Sequence, residues 1–432
     1  MVLEATSLHA LASTPIDHRY KGIPLGKELT LAEIGSQGWN VAHGDLALPI
    51  TTLRQSALEN NIEAMSEYCR RNGVLLAPHG KTTMAPQLFQ RQIDAGAWGI
   101  TAATPTQIAV MREFGVKRIL LANEISEPEA IKWIARELEA DGTFEFMCLV
   151  DSSVTVAAMD QALDGVLEHR KFEVLVELGF ANGRAGVRDH EEAMRVARSV
   201  KNSRHMALTG VETYEGLLTT GIAPSDLEGI TELFADVRRL VRDISAEGLF
   251  ETSTITVTAG GSAYFDLVVL GLSDWSGSDL DVRLILRSGC YVTHDSDRYQ
   301  VVSPLDGRSR DGETLRLENA LEGWATVLSR PEPGLAILGT GKRDLPYDLR
   351  LPIPLRAYPA DGSPPVDLRG HGEIFQMMDQ HAFMALPDDF DLQPGAIVVL
   401  GMSHPCTAFD KMRLLPIIDD NDVVVDGVLT FF

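Results

Sequence analysis

The chain has 432 residues, 45% hydrophobic and 23% charged, the balance of a folded protein with room for one large core or two moderate ones, which excludes a disordered chain. Its formal charge of −23 leaves no basic surface to neutralise phosphates, so nonspecific nucleic-acid binding is excluded too. The four cysteines, Cys69, Cys148, Cys290 and Cys406, form no CxxC pair, so a reducing, cytoplasmic location is expected rather than a disulfide framework or a structural zinc knuckle.

The N-terminus, MVLEATSLHALASTP, lacks a basic region followed by a sustained apolar run. No later stretch approaches the roughly 20 apolar residues that cross a bilayer. Residues 1–45 hold no clear helix–strand unit and are expected to pack with a β domain or on a barrel's flank. From about residue 55 the apolar period alternates. Leu58, Ile62, Met65 and Cys69 recur every three or four positions, Gly73 ends that helix, and Val74–Ala77 read as a buried strand.

Further strands are predicted at 98–104, 118–125, 145–151, 172–179, 207–214 and 254–259, each separated from the next by a helical stretch. After 118–125, Ser126 and Glu129 have the spacing of a capping box, and Ile131, Ile134 and Leu138 form the apolar face that follows. A longer helix is predicted over 225–247. Strands apolar throughout are buried on both faces, as in parallel sheets. Seven or eight such units over residues 46–275 fit a (β/α)8 TIM barrel better than a doubly wound sheet, and no GxGxxG or P-loop supports the latter. Beyond residue 275 proline and glycine become frequent between short β-like runs, so 276–432 are expected to form a mainly antiparallel β domain.

Three clusters carry chemistry. Pro78-His79-Gly80-Lys81-Thr82 puts a lysine just past the first strand, at the barrel end where active sites are built. Gly80 is expected to let a planar ligand approach, and His79 and Thr82 to offer polar contacts around an amine able to form a Schiff base. Thr258-Ala259-Gly260-Gly261-Ser262, after the seventh strand, offers successive N–H groups to a phosphate. Ser403-His404-Pro405-Cys406 follows an apolar run. In extended backbone His404 and Cys406 face the same way and can share one metal ion. His371 and His381 lie upstream as further ligands or bases.

These segments resemble, in order, the D-serine dehydratase and D-threonine aldolase family. The shared pieces are PHGKT, Glu177-Leu178-Gly179 with Arg184-Ala185-Gly186, TAGGS, Arg287-Ser288-Gly289-Cys290-Tyr291, Asp379-Gln380-His381 and SHPC, over roughly residues 45–415. The resemblance implies an alanine-racemase-like barrel with pyridoxal phosphate on Lys81. It also implies a phosphate cup at Gly260, Gly261, Ser262, Gly289 and Cys290, and cofactor contacts from His79, Arg184, Tyr214 and Tyr291. Zinc, or another divalent metal, is implied on His404 and Cys406, and a homodimer with the site near the subunit interface. TTMAP after Lys81 and DQH in place of an acidic pair before histidine resemble a bacterial branch of amino-acid deaminases.

The activity so implied is dehydration and deamination of a D-β-hydroxy amino acid such as D-serine, D-threonine or D-3-hydroxyaspartate. Lys81 serves as the α-proton base, and the metal acts as a Lewis acid on the hydroxyl. The alternatives are D-threonine aldolase chemistry, with His381 as the base, and a non-catalytic protein that binds pyridoxal phosphate. Racemisation leaves the His404 and Cys406 pair without a use.

Overall fold

The computed structural model describes residues 6–432; residues 1–5 of the N-terminal segment lie outside the described residues. Eight parallel strands form one curled sheet: β1 (Leu75–Leu76), β2 (Ile100–Ala102), β3 (Arg118–Leu121), β4 (Glu145–Val150), β5 (Phe172–Glu177), β6 (Met206–Glu212), β7 (Thr254–Ala259) and β8 (Asp281–Leu286). β8 pairs with β1, and the parallel bridge of His79 with Thr101 joins β1 to β2 and closes the barrel. The eighth strand thus lies past residue 275. Its alternating sequence DVRLIL is less uniformly apolar than the other barrel strands because Arg283 points inward and donates to Thr256 Oγ1 at 2.9 Å.

The helices pack outside, and their apolar faces with the outward sides of the strands make the main core. Inside, Leu120, Met147, Leu149 and Leu175 form a separate apolar plug with Trp98 and Ala122, so the barrel is packed through rather than a pore. The long helix spans Pro224–Ala246. The helix after β3 begins at Pro128 rather than at a Ser126 cap, because proline at the first helical position has its φ preset and lacks only an N–H that would be unpaired anyway.

The β domain holds the strands Leu321–Glu332, Leu335–Leu338, Ile353–Tyr358, Glu373–Met377, Ala382–Ala385, Ile397–Gly401, Leu414–Ile418 and Val424–Leu429. Strand Ile50–Arg54 joins them, antiparallel to Leu321–Glu332 and parallel to Leu414–Ile418. The chain therefore passes through this domain before entering the barrel. Ile16, Ile23, Ile34, Trp39 and Val41 of the N-terminal segment share a second core with Trp324, Val399, Leu414 and Val424. No helix of the described residues is long and apolar enough to cross a membrane.

Candidate active site

After β1 the backbone makes a single 3-10 turn, Gly80–Thr82, with Lys81 at its centre. Gly80 is required for a reason other than ligand approach: a Cβ there would lie 2.5 Å from Met111 Cε and 2.7 Å from Ile100 Cγ2. The turn is pressed on the core wall, and Lys81 lines the barrel mouth. There a cavity of about 270 Å3 is bordered by His79, Lys81, Arg184, Tyr214, Gly260, Gly261, Ser262, Gly289, Cys290, His404 and Cys406. Residues more than 320 positions apart in the sequence meet there: Thr82 Oγ1 lies 3.4 Å from Cys406 Sγ.

The floor is charged and dry. Glu212 is buried and paired with buried Arg287, which also donates to Thr258 Oγ1 at 2.9 Å and to the Thr213 carbonyl at 3.2 Å. Burial raises both Glu212 and its neighbour Glu177 well above the carboxylate range, so this floor retains a proton at neutral pH. Burial, then the nearby cations Lys81 and Arg287, hold His79 well below its ordinary value and therefore neutral. Two buried atoms here, His79 Nδ1 and Glu212 Oε2, have no hydrogen-bond partner among the described residues. Arg184 lies over the Tyr214 ring at 5.0 Å.

The glycine turn after β7 differs from expectation. Gly260 N donates to Glu215 Oε2 at 3.1 Å and Gly261 N to Glu215 Oε1 at 3.0 Å. The two N–H groups expected to hold a phosphate are thus held by a fully buried carboxyl group. Ser262 Oγ accepts from Cys290 N at 3.1 Å, and Ser288 Oγ donates to the Gly261 carbonyl at 2.8 Å. These bonds tie the two loops into one rigid wall.

From the β domain, His404 and Cys406 enter in a turn, Cys406 opening the short helix Cys406–Phe409 behind a helical Pro405. It is this turn, not extended backbone, that brings the pair together. Asp348 Oδ2 lies 2.5 Å from His404 Nδ1, and Thr407 Oγ1 donates to Asp348 Oδ1 at 2.7 Å. Burial pulls His404 down, but Cys406 and Asp348 outweigh it and lift the imidazole to about 9. A carboxylate on one ring nitrogen, leaving the other free, is how metal-binding histidines are oriented. Cys290 Sγ is 3.7 Å from Cys406 Sγ. Among the described residues no three His, Cys, Asp or Glu side chains already surround one point.

Three expected site residues lie elsewhere. Tyr291 points away from the cavity and is buried with its hydroxyl 2.9 Å from Gln92 Nε2, because side chains diverge around the 3-10 turn Cys290–Val292. His381 is exposed on the turn between Glu373–Met377 and Ala382–Ala385, closed by Met378 N to the His381 carbonyl at 2.8 Å. His371 is exposed as well, beside Phe390. Asn123 and Tyr299 also line the cavity; these two, with Glu212, Glu215 and Asp348, were not among the residues expected from the sequence. Only Glu215, next to Tyr214, had a positional signal.

An eight-stranded parallel barrel with a lysine at the mouth of its first strand, joined to an antiparallel β domain, is the alanine racemase-like fold. The family model "Alanine racemase, N-terminal domain" matches residues 53–273, and "Putative serine dehydratase domain" matches residues 320–418. The chain belongs to the alanine racemase N-terminal domain family, with a D-serine dehydratase-like second domain.

It is similar to 3-hydroxy-D-aspartate aldolase of Paracoccus denitrificans (strain Pd 1222), 26% identical over 72% of this chain and 76% of that protein. It is also similar to D-threo-3-hydroxyaspartate dehydratase of Delftia sp. (strain HT23), 27% identical over 69% and 82%. A variant of a dehydratase of that name, solved in a metal-free form, matches with a TM-score of 0.71 at 20% identity over 89% and 98%. The crystal structure of D-threonine aldolase from Filomicrobium marinum matches with a TM-score of 0.75 at 21% identity, covering 91% of this chain and 96% of that one.

Proposed function

We propose that this chain is a pyridoxal-phosphate-dependent, zinc-assisted dehydratase or deaminase of D-β-hydroxy amino acids such as D-serine, D-threonine or D-3-hydroxyaspartate, releasing a 2-oxo acid and ammonia. One observation carries the reading: Lys81 and the His404–Cys406 pair, from opposite ends of the chain, border a single cavity. The residues fit the cofactor. A primary amine, a loop wall built around Ser262 and Gly289, the half-buried Tyr214 ring and an unpartnered, buried His79 Nδ1 converge there. They fit the metal as well, since Asp348 occupies His404 Nδ1 and leaves the other nitrogen for a cation. The names of the dehydratase and aldolase relatives support the substrate class.

Bound there, pyridoxal phosphate supplies an electron sink for the charge left when a bond to Cα breaks. A divalent metal on His404 and Cys406 supplies Lewis-acid stabilisation to a departing β-hydroxyl. The chain's own residues do the rest. Lys81 Nζ takes the Cα proton. Neutral His79 and the Arg184-backed Tyr214 ring orient the planar group. Arg287, neutralised by Glu212, adds a fixed cation to the floor without a net buried charge. The chain is proposed to act as a homodimer in the cytoplasm.

The names of the relatives favour a second reading, retro-aldol cleavage to glycine and an aldehyde. Incubation with D-serine, D-threonine and D-3-hydroxyaspartate, with cofactor and zinc supplied, decides. A 2-oxo acid with ammonia supports the proposal, glycine with aldehyde supports the second reading, and no turnover leaves a cofactor-binding protein.

A further inference from the structure

Cys290 and Cys406 come from different domains: one follows β8 of the barrel, the other opens a short helix of the β domain. Their sulfurs nevertheless stand 3.7 Å apart at the wall of the Lys81 cavity. A disulfide needs about 2.05 Å between sulfurs, so the pair is not in bonding geometry. Two zinc–thiolate bonds of about 2.3 Å at the tetrahedral angle, by contrast, place their sulfurs about 3.8 Å apart. The observed spacing is compatible with that tetrahedral edge. His404 lines the same cavity as Cys406, and its Nδ1 is fixed by Asp348. Cys290 itself is anchored through its N–H to Ser262 Oγ at 3.1 Å, so its sulfur is carried on the loop wall built around Ser262 and Gly289.

We propose that Cys290 is a third protein ligand of the metal held by His404 and Cys406, giving a two-cysteine, one-histidine site with its fourth position open to the substrate. The inference rests on the metal reading above and goes beyond the histidine–cysteine pair. The thiol proton of Cys290 leaves to solvent as the S–metal bond forms. Two thiolates make the site soft, which favours zinc over magnesium or manganese. Three protein ligands with one open position is also the coordination that zinc uses in catalytic sites. The same contact joins cofactor wall and metal wall through one residue pair, Cys290 and its neighbour Gly289.

The test is metal loading of the purified, reduced protein under anaerobic conditions, read without turnover. With Co2+ the near-ultraviolet thiolate-to-metal band of the wild type should be about twice that of Cys290→Ser. Zinc affinity measured against a chromophoric chelator should fall at least tenfold in the variant, the lower end of what even an outer-shell partner's loss costs. A second readout needs only the wild type: zinc should protect both Cys290 and Cys406 from alkylation, as mapped by mass spectrometry. Full band intensity and unchanged affinity in Cys290→Ser, or protection of Cys406 alone, overturns the inference while leaving the His404–Cys406 pair standing. A wild type that takes up no Co2+ or zinc refutes the pair itself, and the third ligand with it.

Discussion

Glu215 offers the sharpest test of how the proposed cofactor wall is held. Its carboxyl group, fully buried, accepts the N–H groups of Gly260 and Gly261 at 3.1 and 3.0 Å. Glu215→Ala orphans both. A buried donor left without an acceptor costs about 1–3 kcal/mol, and two bonds at mid-range put the loss near 2–4 kcal/mol. If that loss falls on ordering the loop around a ligand, the dissociation constant for pyridoxal phosphate rises about 30- to 1000-fold. Glu215→Gln keeps one acceptor oxygen and turns an amide against the second N–H, so it should fall between alanine and wild type. The assay is absorbance titration of the apoprotein with pyridoxal phosphate, with inorganic phosphate as competitor. Unchanged or tighter binding in Glu215→Ala refutes the reasoning, because the carboxyl group would then be blocking an anion site rather than bracing it.

Other consequences follow from single contacts. Lys81→Ala should abolish both the visible absorbance of the loaded protein and its turnover, while thermal stability of the apoprotein stays near wild type. In Gly289→Ala the new Cβ would sit 2.7 Å from both the His79 carbonyl oxygen and Thr82 Oγ1. The Lys81 turn must then shift, and kcat/KM should drop about 10²-fold, as for a misplacement of about 1 Å. Glu212→Ala leaves buried Arg287 without its counter-charge, which should cost about 3–5 kcal/mol in urea denaturation.

Asp295 gives a pH prediction. Burial raises its carboxyl to about 6, so the folded state holds this proton more tightly than the unfolded chain does. The stability it confers is full below about pH 4 and disappears as pH rises through about 6. Asp295→Asn keeps the Oδ1 acceptor used by the N–H groups of Asp297, Tyr299 and Gln300. It should therefore stabilise the protein by up to about 3 kcal/mol at pH 8 and by little at pH 4. Equal urea midpoint shifts at the two pH values would refute this assignment.

The barrel was legible because parallel strands buried on both faces read as apolar runs, and seven of them stood out. The eighth did not, since Arg283 faces a barrel interior that other strands supply with a partner, Thr256. The lysine turn, the glycine turn and the histidine–cysteine pair were found from residue types in a local pattern. Their meeting in one cavity is a product of the fold. Gly80 shows the limit of local reading, because the glycine serves Met111 and Ile100 rather than a ligand.

Sequence alone thus determined the chemical alphabet of the site and the strand at whose mouth the lysine sits, because periodicity and turn chemistry act over a few residues. Tertiary structure decided which donors are spent and which are free: Glu215 on the glycine N–H groups, Asp348 on His404, Cys290 beside Cys406. These contacts join residues 45 to 116 positions apart. Their distances depend on how barrel and β domain pack, which no local pattern in the chain records.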